Sequence, residues 1–237
     1  MNFSKEEYWN DIDSRLKTLV SKGFVKLPPL NEFGLEKVAD DILNDMGDNT
    51  FKELCSPHKM FLKNIGVDEF LTPKLYDLAR EKFGFDGDIS NQYHVSRKVE
   101  PGNSKEMYRA HFDSHLFTMV LPIKIPKPTN DGSAGELIYF PNARKFPHSE
   151  ISNFIGKLYH KRFASKEGIE RLSSKKSMIT DNFLDLSPLL FIGNTTLHTN
   201  KQVTSDCSSY RLTCLAHFFD PSPKYGIGGI LRAIRSR

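Results

Sequence analysis

From residue 89 onward the chain changes its hydrophobic period, and that change limits the architectures open to it. Five segments, 89–99, 111–125, 135–140, 188–192 and 210–219, carry the β-branched, aromatic and alternating apolar residues of strands. Turn-rich stretches separate them, such as Glu100 to Ser104 and Thr129 to Ser133. Strands of this length, so punctuated, predict an antiparallel sandwich or jelly roll. Ahead of them, apolar residues at three- and four-residue spacing predict helices over 4–21, 34–46 and 73–83. The first opens on a Ser4-x-x-Glu7 capping pattern; the third has Thr72 as its cap, Pro73 at its first position and Gly84 at its end. A short strand is expected at 24–27, stopped by Pro28 and Pro29. The class expected is mainly β with flanking helices (α+β), a jelly-roll core with helices packed on its outside.

A chain of 237 residues can bury one large core, and all-β domains of this size are commonly single, so one domain is expected. It divides into a helical front (1–88), a core (89–220) and a tail (221–237). The core is interrupted by an insertion over 141–187 with its own helix at 149–163. Charge is segregated along it. Residues 141–180 carry nine basic side chains against three acidic, and the tail carries four basic and none acidic, on a net charge of +4. The rest of the chain is therefore acidic, and the basic stretches suit an anionic partner. They lack the aromatic interleaving of a nucleic-acid surface, so nucleic acid is not expected. The first twenty residues are charged throughout, and no run approaches eighteen apolar residues, so neither a secretory signal nor a membrane span is expected. Three scattered cysteines fit a reducing compartment, and a cytoplasmic location is the expectation.

The chemistry-bearing residues fall within the predicted strands. His111 and Asp113 are two apart, so on a strand they share a face. A third ligand, His198, lies far downstream. Two neutral imidazoles and a carboxylate on one face of an octahedral ion leave three positions open, an arrangement that suits Fe(II) binding both a cosubstrate and dioxygen. Arg211 stands in an apolar strand, where a guanidinium is costly to bury without an anion. Its fork suits a carboxylate, and Thr213, on the same face, adds a hydroxyl. A metal with a carboxylate clamp asks for a dicarboxylate that chelates at one end. A rival pair, His111 and His115, has the spacing of a helical zinc site in a strand-like context. His94 is expected to face the other side of its strand. It and His217 read as ordinary polar residues, and Cys207 and Cys214 as incidental thiols.

The order His111-x-Asp113, His198, Arg211-x-Thr213 resembles the iron(II)/2-oxoglutarate-dependent oxygenases. Gly135-Glu-Leu137, Phe191-Ile-Gly193 and Asn91-Gln-Tyr93 add to the likeness, which covers about 89–220 without the insertion. The resemblance implies a double-stranded β-helix in which His111, Asp113 and His198 hold Fe(II). It also implies that Arg211, with Thr213 and the Tyr93 hydroxyl, grips the distal carboxylate of 2-oxoglutarate, and that O2 is consumed with release of succinate and CO2. Hydroxylation of a small substrate is the default outcome so implied, with desaturation, ring formation or demethylation as variants. Two other classes stay open on the residues alone: a cupin-like metal-dependent isomerase or hydrolase, which has no need of Arg211, and a non-catalytic jelly-roll binding protein. The oligomeric state and the identity of the substrate are not written in the sequence.

Overall fold

A computed structural model of the chain describes residues 4–104, 107–147 and 163–222. The predicted first helix is two helices, α1 (Lys5–Trp9) and α2 (Ile12–Lys22), broken at Asn10 and Asp11. The Ser4/Glu7 capping box forms as the sequence suggests. The break turns Tyr8 and Trp9 inward, where the Trp9 indole donates to the Ile65 carbonyl at 2.7 Å and the Tyr8 hydroxyl to that of Pro28 at 2.9 Å. Gly23, at φ +84°, ends α2 and delivers the chain into strand β1 (Phe24–Lys26). Helix α3 spans Leu35–Met46. A short strand β2 (Phe51–Glu53) and helix α4 (Ser56–Asn64) follow, neither expected from the sequence. A π-helical turn, Val67–Leu71, then runs directly into α5 (Thr72–Phe83). Thr72 is therefore buried within a continuing helix instead of capping one, although Gly84 closes α5 in the left-handed conformation as its position implies.

The remaining strands are β3 (Gln92–Val99), β4 (Phe117–Lys124), β5 (Leu137–Phe140), β6 (Ile179–Asp181), β7 (Leu189–Ile192), β8 (Leu197–Asn200) and β9 (Arg211–Phe218), and helix α6 (Lys166–Ser173) precedes β6. They form two antiparallel sheets. The larger has the order β1-β7-β4-β9-β3-β2 and the smaller β6-β5-β8. Strand β6 lies inside the stretch read as an insertion and joins the small sheet. Residues 149–162 of the helix expected at 149–163, and the tail from 223, lie outside the described residues.

Strand parity separates two cores. Leu212, Cys214, Ala216 and Phe218 of β9, with Met119, Leu121 and Ile123 of β4, pack against the helical front. Leu215 and Val120 point the other way and meet Leu137, Tyr139, Phe183, Leu189 and Phe191 between the sheets. The outer face of the small sheet is covered by α6, through Ile169 and Leu172 on Ile138, Phe140 and Leu197. Each large side chain so buried is worth about 1.5–3 kcal/mol. This alternation fixes the register, since a slip of one residue in β9 would turn Arg211 and His217 toward the helices and its apolar set into the space between the sheets.

A further expectation is corrected. The strand expected over 111–125 begins only at Phe117. His111 instead makes an isolated bridge with His198, and 112–116 is irregular chain. Among the described residues, no helix is long and apolar enough to cross a membrane.

Candidate metal centre

His111 and His198 are set side by side by a reciprocal pair of backbone hydrogen bonds, each N–H to the other's carbonyl at 3.1 Å. Strand β8 supplies His198, and its ladder with β5 places that residue opposite Tyr139. Asp113 reaches the same point by a different device. Its N–H donates to the Gly193 carbonyl at 3.1 Å, and the Gly193 N–H donates to Leu116 at 2.8 Å, so the irregular segment is stitched to the turn between β7 and β8. Gly193 is needed for that approach, because a Cβ there would stand 2.8 Å from the His115 carbonyl oxygen and 3.0 Å from Asp113 Cβ. Between the two ligands Phe112 points outward into the core under α6. The Arg144 guanidinium lies 4.0 Å over its ring while Arg144 Nε donates to the Asn194 carbonyl at 2.7 Å. That contact ties the segment carrying His111 and Asp113 to the one leading to His198.

The three side chains converge. Asp113 Oδ1 lies 3.6 Å from His111 Nε2 and 3.7 Å from His198 Nε2, and one ligand atom from each residue falls within 4.8 Å of the others. Ligands about 2.1 Å from a first-row ion stand roughly 3–3.5 Å apart, so the Asp113 oxygen already stands close to ligand spacing from both imidazoles, and the three donors can take one ion by moving inward. Both imidazoles turn Nδ1 to a backbone carbonyl, His111 to Arg109 at 2.8 Å and His198 to Thr196 at 3.2 Å. The Nδ1 proton is thereby engaged and the Nε2 lone pair left for a metal. Burial lowers the His198 pKa to about 4 against the pull of Asp113, so at neutral pH the ring is in the neutral form that ligates. Burial alone would raise the Asp113 pKa. The facing imidazoles of His198, His217 and His111 and the Thr118 hydroxyl more than offset it, and hold the carboxyl well below the usual range. The centre is open on one side, where His111 is 56% exposed.

Arg211 begins β9 on the face between the sheets and is only 4% exposed. It donates to the Gly135 carbonyl and lies 5.7 Å over the Phe183 ring, and among the described residues no carboxylate comes within ion-pair distance of it. Burial, with Arg97 adding to the effect and the carboxylates of Glu136 and Asp181 partly opposing it, lowers its pKa to about 10, which leaves it charged at neutral pH. Gly135, at φ +80°, leaves room for it, since a Cβ there would meet Arg211 Cδ at 3.3 Å. Thr213 is buried two residues on, opposite Arg97 of β3.

Tyr93 is not brought to Arg211. It pairs with His217, whereas Arg211 pairs with Val99, six residues and roughly 20 Å further along β3. Its hydroxyl donates to Glu53 and its ring stacks on His115 and His217, with centroids 5.9 and 5.8 Å away. His115 therefore belongs to this ring stack and not to the ligand cluster. His94 faces the helical layer as expected, its ring 5.6 Å from that of His58. His217 corrects the sequence reading. It is buried against the centre, Nδ1 standing 3.0 Å from Thr118 Oγ1 and 3.8 Å from Asp113 Oδ2. Its even spacing from Arg211 was the available signal. Thr118 carried none, because the chain between it and Asp113 has no regular period.

No family model matches this sequence, and no curated protein matches it. Solved structures do. A prolyl 4-hydroxylase from Phytophthora capsici superposes with a TM-score of 0.58 at 13% identity, covering 99% of this chain and 74% of that one. The non-heme alpha-ketoglutarate-dependent epimerase SnoN of nogalamycin biosynthesis gives 0.57 at 12% identity, with 89% and 84% covered. A prolyl-4-hydroxylase from Pseudomonas putida gives 0.53 at 12% identity, with 87% and 97% covered. These structures share the fold of this chain, a jelly-roll-like core of two facing antiparallel sheets with helices on the larger one.

Proposed function

We propose that this protein is an Fe(II)/2-oxoglutarate-dependent dioxygenase that hydroxylates a small substrate with release of succinate and CO2. One observation carries the reading. A two-histidine, one-carboxylate cluster with both Nδ1 atoms anchored shares the space between the sheets with a buried guanidinium that, among the described residues, has no carboxylate within ion-pair distance. Fe(II) held by His111, Asp113 and His198 would supply oxygen activation, with three positions left for 2-oxoglutarate and O2. Arg211 would receive the distal carboxylate of 2-oxoglutarate as the anion its burial requires, with the Thr213 hydroxyl beside it. Tyr93, with His115 and His217, would instead wall the metal end, where it can border the prime substrate. The SnoN complex with Fe3+, alpha-ketoglutarate and nogalamycin RO superposes with a TM-score of 0.54 at 10% identity and supports this choice of cofactors. Neighbours named as hydroxylases and as an epimerase show that the fold accommodates more than one outcome. The basic residues Arg144, Lys145, Lys166, Arg171, Lys175 and Lys176 favour an anionic substrate.

Anaerobic titration with Fe(II) and then 2-oxoglutarate tests the proposal. A weak metal-to-ligand charge-transfer band should appear on addition of the second component. Metal binding with no such band would overturn the 2-oxoglutarate reading and favour a cupin-like enzyme; no metal binding would overturn both. Succinate release across a substrate panel, with mass spectrometry for a gain of one oxygen, then identifies the outcome.

A further inference from the structure

The side of Asp113 that faces away from the two imidazoles is also occupied. Thr118 Oγ1 lies 2.5 Å from Asp113 Oδ2 and 3.0 Å from His217 Nδ1. The proton inventory orders these contacts. A carboxylate only accepts, and a hydroxyl has a single proton, so Thr118 donates to Asp113 and must accept from His217. His217 is thereby fixed as the tautomer with its proton on Nδ1. Its ring plane is held by stacking on Tyr93 at 5.8 Å and on His115 at 5.1 Å, with interplanar angles of 28° and 30°. The three groups come from three places: β9 gives His217, the start of β4 gives Thr118, and the irregular segment before β4 gives Asp113.

We propose that Thr118, oriented by His217, is a positioning residue that keeps Asp113 a one-oxygen ligand. The inference rests on the metal reading above and extends it. With Oδ2 engaged by the hydroxyl, only Oδ1 faces His111 Nε2 and His198 Nε2, and the carboxylate cannot rotate to present both oxygens to the ion. A two-oxygen carboxylate would take a fourth coordination position. The Thr118 bond therefore preserves the three positions the proposed reaction needs, and holds the carboxylate in place before any metal arrives. Hydrogen bonds to ligating groups of this kind commonly set metal affinity by 10- to 100-fold.

The test uses Co(II) bound to the full chain without cosubstrate, read by chelator competition for affinity and by d–d absorption for coordination. Thr118→Val preserves shape and removes the hydroxyl. It should weaken Co(II) binding by about 10- to 100-fold and change the intensity and position of the d–d bands, and Thr118→Ser should restore both to near wild type. His217→Phe keeps a ring in the stack and removes the donor, so it should produce a smaller loss of the same sign. In the double variant Thr118→Val/His217→Phe that loss should vanish, because His217 acts through Thr118. Wild-type affinity and spectrum in Thr118→Val would overturn the proposal while leaving the metal site standing. An undiminished His217→Phe effect in the Thr118→Val background would overturn the coupling. Should Thr118→Val fail to fold by circular dichroism, His217→Phe decides alone, and an unchanged Co(II) spectrum there rejects the proposal. A wild-type chain that binds no Co(II) would overturn the metal reading and this inference together.

Discussion

On the proposed reading, Arg211 is a single side chain held ready for a ligand at a cost to the fold. A buried guanidinium that, among the described residues, meets a carbonyl and a ring but no carboxylate at ion-pair distance lowers stability relative to an apolar residue of similar length. Arg211→Met is therefore expected to leave urea stability unchanged or raise it by about 1 kcal/mol, while raising the 2-oxoglutarate concentration needed for succinate release by at least about tenfold. Arg211→Lys keeps the charge, loses the two-pronged geometry and should fall between. Equal loss of stability and of 2-oxoglutarate dependence in Arg211→Met would mark the residue as structural. At this scale the sequence was informative, because chemistry-bearing types at even spacing on strands declare a shared face. Arg211, Thr213 and His217 all obey that rule on β9. Tyr93 shows its limit, since the face was right and the distance along the strand was not.

Among elements, the long strands were legible, and of the short ones β1, β5 and β7 were read while β2, β6 and β8 were not. β3, β4 and β9, each with 8 residues, have room to show alternation. β2 and β6, with 3 residues each, exist because neighbouring strands offer them partners, and three residues carry no period. Helix α4 escaped notice because Phe61 and Leu62, its buried apolar residues, are adjacent and trace no stripe. The turn between β7 and β8 is the element on which the centre depends most, since it holds Asp113 through Gly193. Gly193→Ala must push the backbone of 113–116 away, at an expected cost of about 1–3 kcal/mol. Denaturation in urea should report that cost, and Co(II) titration a matching loss of affinity. An alanine variant with wild-type values for both would show that the contact relaxes freely.

Taken as a whole, the molecule carries a buried polar cluster outside the candidate metal centre that contributes to its response to acid. His58 and His94 lie between the large sheet and the helices, near Ser96 and Cys214, and burial lowers their pKa values to about 3 and about 4. In the unfolded chain both titrate near 6.5. Between about pH 6.5 and 4 the unfolded state binds protons that the folded state refuses, so stability is full above this window and declines as pH falls through it. The decline approaches about 1.4 kcal/mol per pH unit for each histidine. Urea denaturation from pH 7.5 to 4.5 should show it, and His58→Leu should make it shallower; an identical slope in that variant would assign the acid sensitivity to other groups.

The sequence by itself determined the longer helical and extended segments, the sidedness of each long strand and which residues are of the types that ligate a metal or an anion. These follow from local period and side-chain chemistry, which neighbouring residues are enough to express. Only the tertiary structure decided that Asp113 leaves the strand to meet His198, that Thr118 and His217 stand behind it, and that Tyr93 lies at the opposite end of β3 from the partner of Arg211. Those are facts of register and of irregular chain, and they are fixed by contacts between segments remote in sequence, where no local pattern records them.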